Sequence, residues 1–100
     1  MKYSLHILEE VYGEIEEAGD YYFTQRSGLE MQLFLDWERT VNRVLKNPEG
    51  YQKQGKKFRH ALLEKFPYLV VFEIIDLSVV VYRFINVRRH PGKRHAKRKK

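Results

Sequence analysis

The chain has 100 residues, enough for one modest core, and its 43% hydrophobic and 14% aromatic content argues for a packed globule over a disordered chain. It has no cysteine, which excludes a disulfide framework, a thiolate metal site and a thiol nucleophile. The net charge of +6 is unevenly spread: residues 1–52 hold five Lys/Arg and ten Asp/Glu (−5), whereas residues 53–100 hold fourteen and three (+11).

In chain order, "KYSLHIL" alternates Tyr3, Leu5 and Ile7 against Lys2, Ser4 and His6, the period of a half-buried strand. Leu8, Val11, Tyr12, Ile15, Ala18 and Tyr22 then recur at three and four, which places them on one helical face opposite Glu9, Glu10, Glu14, Glu16 and Glu17. These acids read as a solvated face. They also stand where a signal peptide would need an apolar run, and no stretch is long and apolar enough to span a bilayer, so the expected setting is cytoplasmic. After Ser27-Gly28 a second helix carries Leu29, Leu33, Phe34, Trp37, Val41, Val44 and Leu45 on one stripe until Asn47-Pro48 stops it. The two form a helical hairpin whose stripe, Trp37 included, is expected to dock on the later strands through Val70, Phe72, Val79 and Val81.

Residues 49–57 are polar and hold Gly50 and Gly55, the composition of a loop. "KFRHALLEKF" follows as a strand with neither face clearly polar. "YLVVFEII" and "SVVVYRFINV", rich in β-branched and aromatic residues, read as a hairpin that turns at Asp76. Pro91 and Gly92 end the ordered pattern, giving one domain over 1–92 and a basic tail over 93–100. The expected class is α+β, ordered β-α-α-β-β-β, with an antiparallel sheet packed on the N-terminal helical hairpin.

The four histidines show no ligand spacing and the three serines no nucleophile elbow, so neither a metal nor a cofactor is expected. What stands out is a set of cations: Lys53, Lys56, Lys57 and Arg59 before and on the second strand, Arg83 on the fourth, and Arg88, Arg89, Lys93 and Arg94 after it. If the strands carrying Arg59 and Arg88 are neighbours, these residues converge on one groove. Such a groove could hold phosphates or an acidic peptide.

"FRHALLEKFPYLVVFEIID", with Arg59, Leu62-Leu63 and Phe66-Pro67-Tyr68, and the closing "VVVYRFINVRRHP" resemble the RelE/ParE family of type II toxin-antitoxin toxins, and the element order extends the resemblance over nearly the whole chain. The resemblance implies a bacterial growth-inhibiting toxin with a role in plasmid stabilisation, a twisted antiparallel sheet, a cognate antitoxin that wraps it, and a homodimer within the toxin-antitoxin complex. RelE-type members cleave mRNA on the ribosome with basic residues and a C-terminal tyrosine. The arginine that often follows "PY" is Leu69 here, a histidine common near the end of the last strand is Asn86, and no tyrosine follows Arg89. The arginine and the tyrosine are two of the groups expected of a ribonuclease, and their absence leaves Arg59, Lys57 and Arg89 as the catalytic candidates and Lys56, Arg83, Arg88, Lys93 and Arg94 as target-binding ones. The balance favours a ParE-like inhibitor of a nucleic-acid machine such as DNA gyrase, over a ribosome-dependent endoribonuclease or a degenerate basic binding protein.

Overall fold

The computed structural model of the chain describes residues 2–88. It comprises β1 (Ser4–Ile7), α1 (Glu9–Gln25), α2 (Leu29–Lys46), a 3-10 turn (Pro48–Gly50), β2 (Lys53–Gln54), β3 (Phe58–Leu62), β4 (Tyr68–Ile75) and β5 (Ser78–Asn86). The six elements expected from periodicity are present, and a seventh, β2, arises within the stretch expected to be loop. There Gly55, at a φ of 86°, turns the chain so that Lys53 faces Arg59 and Gln54 faces Phe58. The expected boundary between residues 92 and 93 lies outside the described residues.

The sheet runs β1-β5-β4-β3-β2, and it is mixed, where an antiparallel sheet was expected. β1 pairs with β5 in parallel, Ser4 opposite Ser78 through Ile7 opposite Val81. Periodicity reports that a strand exists but not its direction. A parallel neighbour needs a long crossover, and the helical hairpin with β2, β3 and β4 supplies one. The other ladders are antiparallel. The β4–β5 turn passes through Asp76 at a φ of 54°, a left-handed conformation that aspartate tolerates better than most residues.

Both helices lie on one face of this sheet. Val11, Ala18, Leu33 and Val44 share a core with Val70, Phe72, Val79, Val81 and Phe84. The Trp37 ring meets Phe84 edge to face at 5.3 Å, and Phe34 and Leu45 pack on the same core. Close approach of the helices depends on Gly19, where an added Cβ would fall 2.6 Å from Cζ of Phe34. Gly28, at a φ of 96°, makes the turn between them. Tyr12 departs from the expected stripe: it is 56% exposed, because the buried arc of α1 is narrow and holds Val11, Ala18 and Gly19.

One buried charge joins the layers. Asp36 on α2 is 1% exposed. Its Oδ1 accepts the backbone N–H of Glu64 at 3.1 Å, and its Oδ2 accepts those of Lys65 at 2.7 Å and Phe66 at 3.1 Å. Three donors on the β3–β4 connection thus converge on one carboxylate, which fixes where β4 begins. Two turns on, Arg43 reaches Glu64 at 3.1 Å. Replacing Asp36 with alanine strands three backbone donors and is expected to cost on the order of 3 kcal/mol in chemical denaturation. Asp36→Asn, which keeps one acceptor oxygen, should lose less, and faster amide exchange at residues 64–66 should accompany both.

Candidate functional site

The face of the sheet away from the helices is sorted by a bulge in β5. Val71 stands opposite Arg83 and Phe72 opposite Val81, so Tyr82 is the extra residue. Strict alternation would put Val81, Arg83 and Ile85 on one side. Instead Val81 and Phe84 belong to the helix-side core, while Ile85 joins Leu69 and Val71 in a second cluster, with Phe58 and Val87 packed against it. The outer face therefore has an apolar centre.

A polar group lies beside that centre. Tyr82 donates its hydroxyl hydrogen to Oε1 of Glu73 at 2.8 Å, and its ring meets Phe58 edge to face at 5.0 Å. The Lys57 ammonium sits 5.2 Å from the Phe58 ring centroid, within cation–π range. His60 stands opposite Val71 on the same face, half-buried. The hydrogen bond to Glu73, then desolvation, then the negative charge of Glu73 raise the Tyr82 phenol above its ordinary value. At neutral pH Tyr82 is thus a proton donor held by a carboxylate. The bond between "FEII" and the residue before Arg83 was not legible in sequence, because the register that sets Glu73 opposite Val80, and so diagonal to Tyr82, is fixed only when β4 and β5 pair.

The expected cations do not converge. β4 separates β3 from β5, so the strands carrying Arg59 and Arg83 are not neighbours. Arg59 stands opposite Phe72, on the helix side, and its Nη1 donates to the carbonyl oxygens of Tyr51 at 2.7 Å and Glu49 at 3.3 Å. Those bonds tie the 3-10 turn to β3. Arg83, opposite Val71, turns to the edge of the sheet, where its Nε meets Oε2 of Glu14 at 2.7 Å. The other oxygen of Glu14 accepts the backbone N–H of Phe84 at 2.7 Å. Glu14 therefore does not belong to a purely solvated face: among the described residues the edge of β5 beyond Val81 has no strand partner on the β1 side, and this carboxylate serves in its place. The two side chains help line a cleft of about 160 Å³ with Glu17, Tyr68 and Asn86.

Lys53, Lys56 and Lys57 are exposed around the β2–β3 turn, and Arg88 is exposed just past β5, its N–H bonded to Oδ1 of Asn86 at 2.9 Å. Cations thus rim the outer face without entering its centre. Arg89, Lys93 and Arg94 lie outside the described residues. Among the described residues no cluster of three His, Asp or Glu could hold a metal ion, and no helix is long and apolar enough to cross a membrane.

No protein-family model and no curated protein matches the chain. Solved structures do. A chain from the chromosomal ParDE TA system of P. aeruginosa superposes with a TM-score of 0.76 at 13% identity, over 85% of this chain and 96% of that one. An arginine double mutant of the E. coli toxin RelE in the free state superposes with a TM-score of 0.64 at 22% identity, over 91% and 90%. At these identities the likeness is one of fold, and the fold is RelE/ParE-like.

The Tyr82–Glu73 bond has a pH signature. A phenol held protonated more tightly in the folded than in the unfolded chain contributes stability that is fully present below the unfolded value of about 10 and is lost as pH rises through the folded one. Ultraviolet titration of tyrosinate, with Tyr82→Phe as the subtraction, is expected to place Tyr82 above the ordinary value. In Glu73→Gln the value should move back toward it.

Proposed function

We propose that the chain is the toxin of a type II toxin-antitoxin pair and acts in the ParE-like manner, by binding and inhibiting a nucleic-acid machine such as DNA gyrase. The toxin reading is supported by a RelE/ParE-like fold that extends over most of the chain. The ParE-like reading is carried by the outer face. Its centre, where the resemblance would put an arginine after "PY", is Leu69 packed with Val71 and Ile85. Stabilising charge on a scissile phosphate needs positioned cations beside the reacting group. Arg59 donates to backbone carbonyls and Arg83 pairs with Glu14, so neither stands ready for that task. A buried apolar centre leaves only the exposed rim cations, Lys53, Lys56, Lys57 and Arg88, to meet a target, which suits electrostatic association with a protein bound to a polyanion better than phosphate chemistry.

One observation favours ribosome-dependent RNA cleavage as the second reading: the Glu73-held phenol of Tyr82 and the imidazole of His60 on one face are groups able to move protons. In that reading Lys57, Arg59 and Arg89 supply the phosphate contacts.

On either reading the partner is a cognate antitoxin, the setting is the cytoplasm, the toxin-antitoxin complex holds the protein as a homodimer, and the pair serves plasmid stabilisation through the toxin's inhibition of growth. Lys56, Arg83 and Arg88 contribute to the target surface, and Arg89, Lys93 and Arg94 extend it. Residues 93–100, with six Lys/Arg and no acid, act as an electrostatic arm that raises affinity for a polyanion without reading its sequence.

Induced expression separates the two readings: plasmid supercoiling and the DNA-damage response should change before mRNA integrity does. Early mRNA cleavage with supercoiling intact would favour the ribonuclease. Deleting 93–100 is expected to weaken nucleic-acid association and flatten its salt dependence while leaving the unfolding midpoint unchanged. Arg89→Ala should abolish growth arrest with little loss of non-specific binding.

A further inference from the structure

The far end of the sheet, where the β3–β4 connection meets the end of β5, holds a groove of about 270 Å³. Its walls are Leu62, Leu63, Pro67 and Val87, and its rim carries Lys65 and Arg88. We propose that this groove docks an extended acidic segment of a protein partner, with one bulky aliphatic side chain of that segment seated between Leu62 and Val87 and its carboxylates on Arg88 and Lys65. The proposal rests on the reading that the chain works by binding protein, and it names the chemistry of the partner.

Size, charge and rigidity all select this occupant. The groove lies below the range of about 300–1,000 Å³ typical of small-molecule sites, and it suits one or two side chains. Leu62 is 56% exposed beside it, an apolar surface that water covers poorly. The local charge is positive: Lys65 and Arg88 are exposed, and the one acid among the lining residues, Glu64, is engaged by Arg43 at 3.1 Å. After Arg88 the sequence brings seven more Lys/Arg and no acid. An incoming carboxylate therefore meets complementary charge.

The walls are also preorganised. Val87 N–H donates to the Pro67 carbonyl at 2.8 Å, Leu63 N–H donates to that of Tyr68 at 3.0 Å, and Asp36 holds the amides of residues 64–66 from beneath. Little ordering remains to be done on binding. A single-stranded nucleic acid would need an open aromatic ring to stack on. The groove's one ring, Phe66, is 9% exposed and packs edge to face on Tyr22 at 4.9 Å.

The test uses the full-length ¹⁵N-labelled protein and a capped peptide probe in which glutamates and aspartates flank a single leucine. Amide shifts are expected at residues 62–65 and 87–88. The leucine-to-serine peptide, and the protein variants Leu62→Ser and Arg88→Ala, should each weaken binding about tenfold, the loss of one anchor contact. Equal binding of the serine peptide would overturn the proposal, since charge alone would then account for it. A single-stranded oligonucleotide that shifts the same amides and displaces the peptide would overturn it as well. Growth arrest is scored separately: arrest by a protein whose groove ignores the peptide refutes the docking site and leaves the toxin reading standing, whereas a responsive groove in a protein that never arrests growth upholds the site and refutes that reading.

Discussion

The carboxylate of Asp36 is the contact through which the helical layer and the sheet are held in one arrangement. A charge with 1% exposure is costly to bury unless its lone pairs are filled, and here three backbone donors of residues 64–66 fill them. The same three amides would otherwise be unsatisfied in a tight connection. Each side thus solves the other's desolvation problem, and the pairing is specific to position because only one rotation of α2 brings Asp36 over that connection. From there Phe66 is held against Tyr22 and Tyr68 starts β4, stacked on Phe84 at 4.6 Å. The apolar groove beyond inherits its shape from the same anchor.

A second constraint acts at the edge of the sheet. β1 covers β5 only as far as Val81, and the strand continues for five more residues to Asn86. An uncovered edge invites pairing with another chain. Glu14 takes the Phe84 N–H and holds Arg83 at the same time, so one side chain of α1 caps the edge and balances the charge of Arg83. The pair is partly exposed, 49% for Arg83 and 23% for Glu14, so its value lies in geometry and specificity more than in stability.

These two uses of charge change what the basic half of the chain offers a partner. Of the cations in the described residues, Arg43, Arg59 and Arg83 are committed to internal contacts. Lys53, Lys56, Lys57, Lys65 and Arg88 remain exposed around an apolar centre. The centre itself is buried, Leu69, Val71 and Ile85 being covered, so what this face presents to solvent is its field of positive charge. The Tyr82–Glu73 pair sits between the two zones, its proton held by the carboxylate.

The local pattern of residues was enough to determine the elements. Helical spacing placed α1 and α2 with Trp37 toward the sheet, Asn47-Pro48 ended the second helix, and Asp76 marked the hairpin, because these signals depend on neighbours within a few residues. Resemblance of "FPY" and its surroundings extended this to the fold. What tertiary structure alone decided involves partners far apart in the chain. The direction of β1, the register that sets Tyr82 beside Glu73, the burial of Asp36 beneath residues 64–66 and the capture of Arg83 by Glu14 join positions separated by between 9 and 74 residues. An acid on a helix reads as solvated by periodicity. Only the strand that arrives beside it supplies the N–H groups that make it structural, and an arginine reads as available until the carboxylate that binds it is in place.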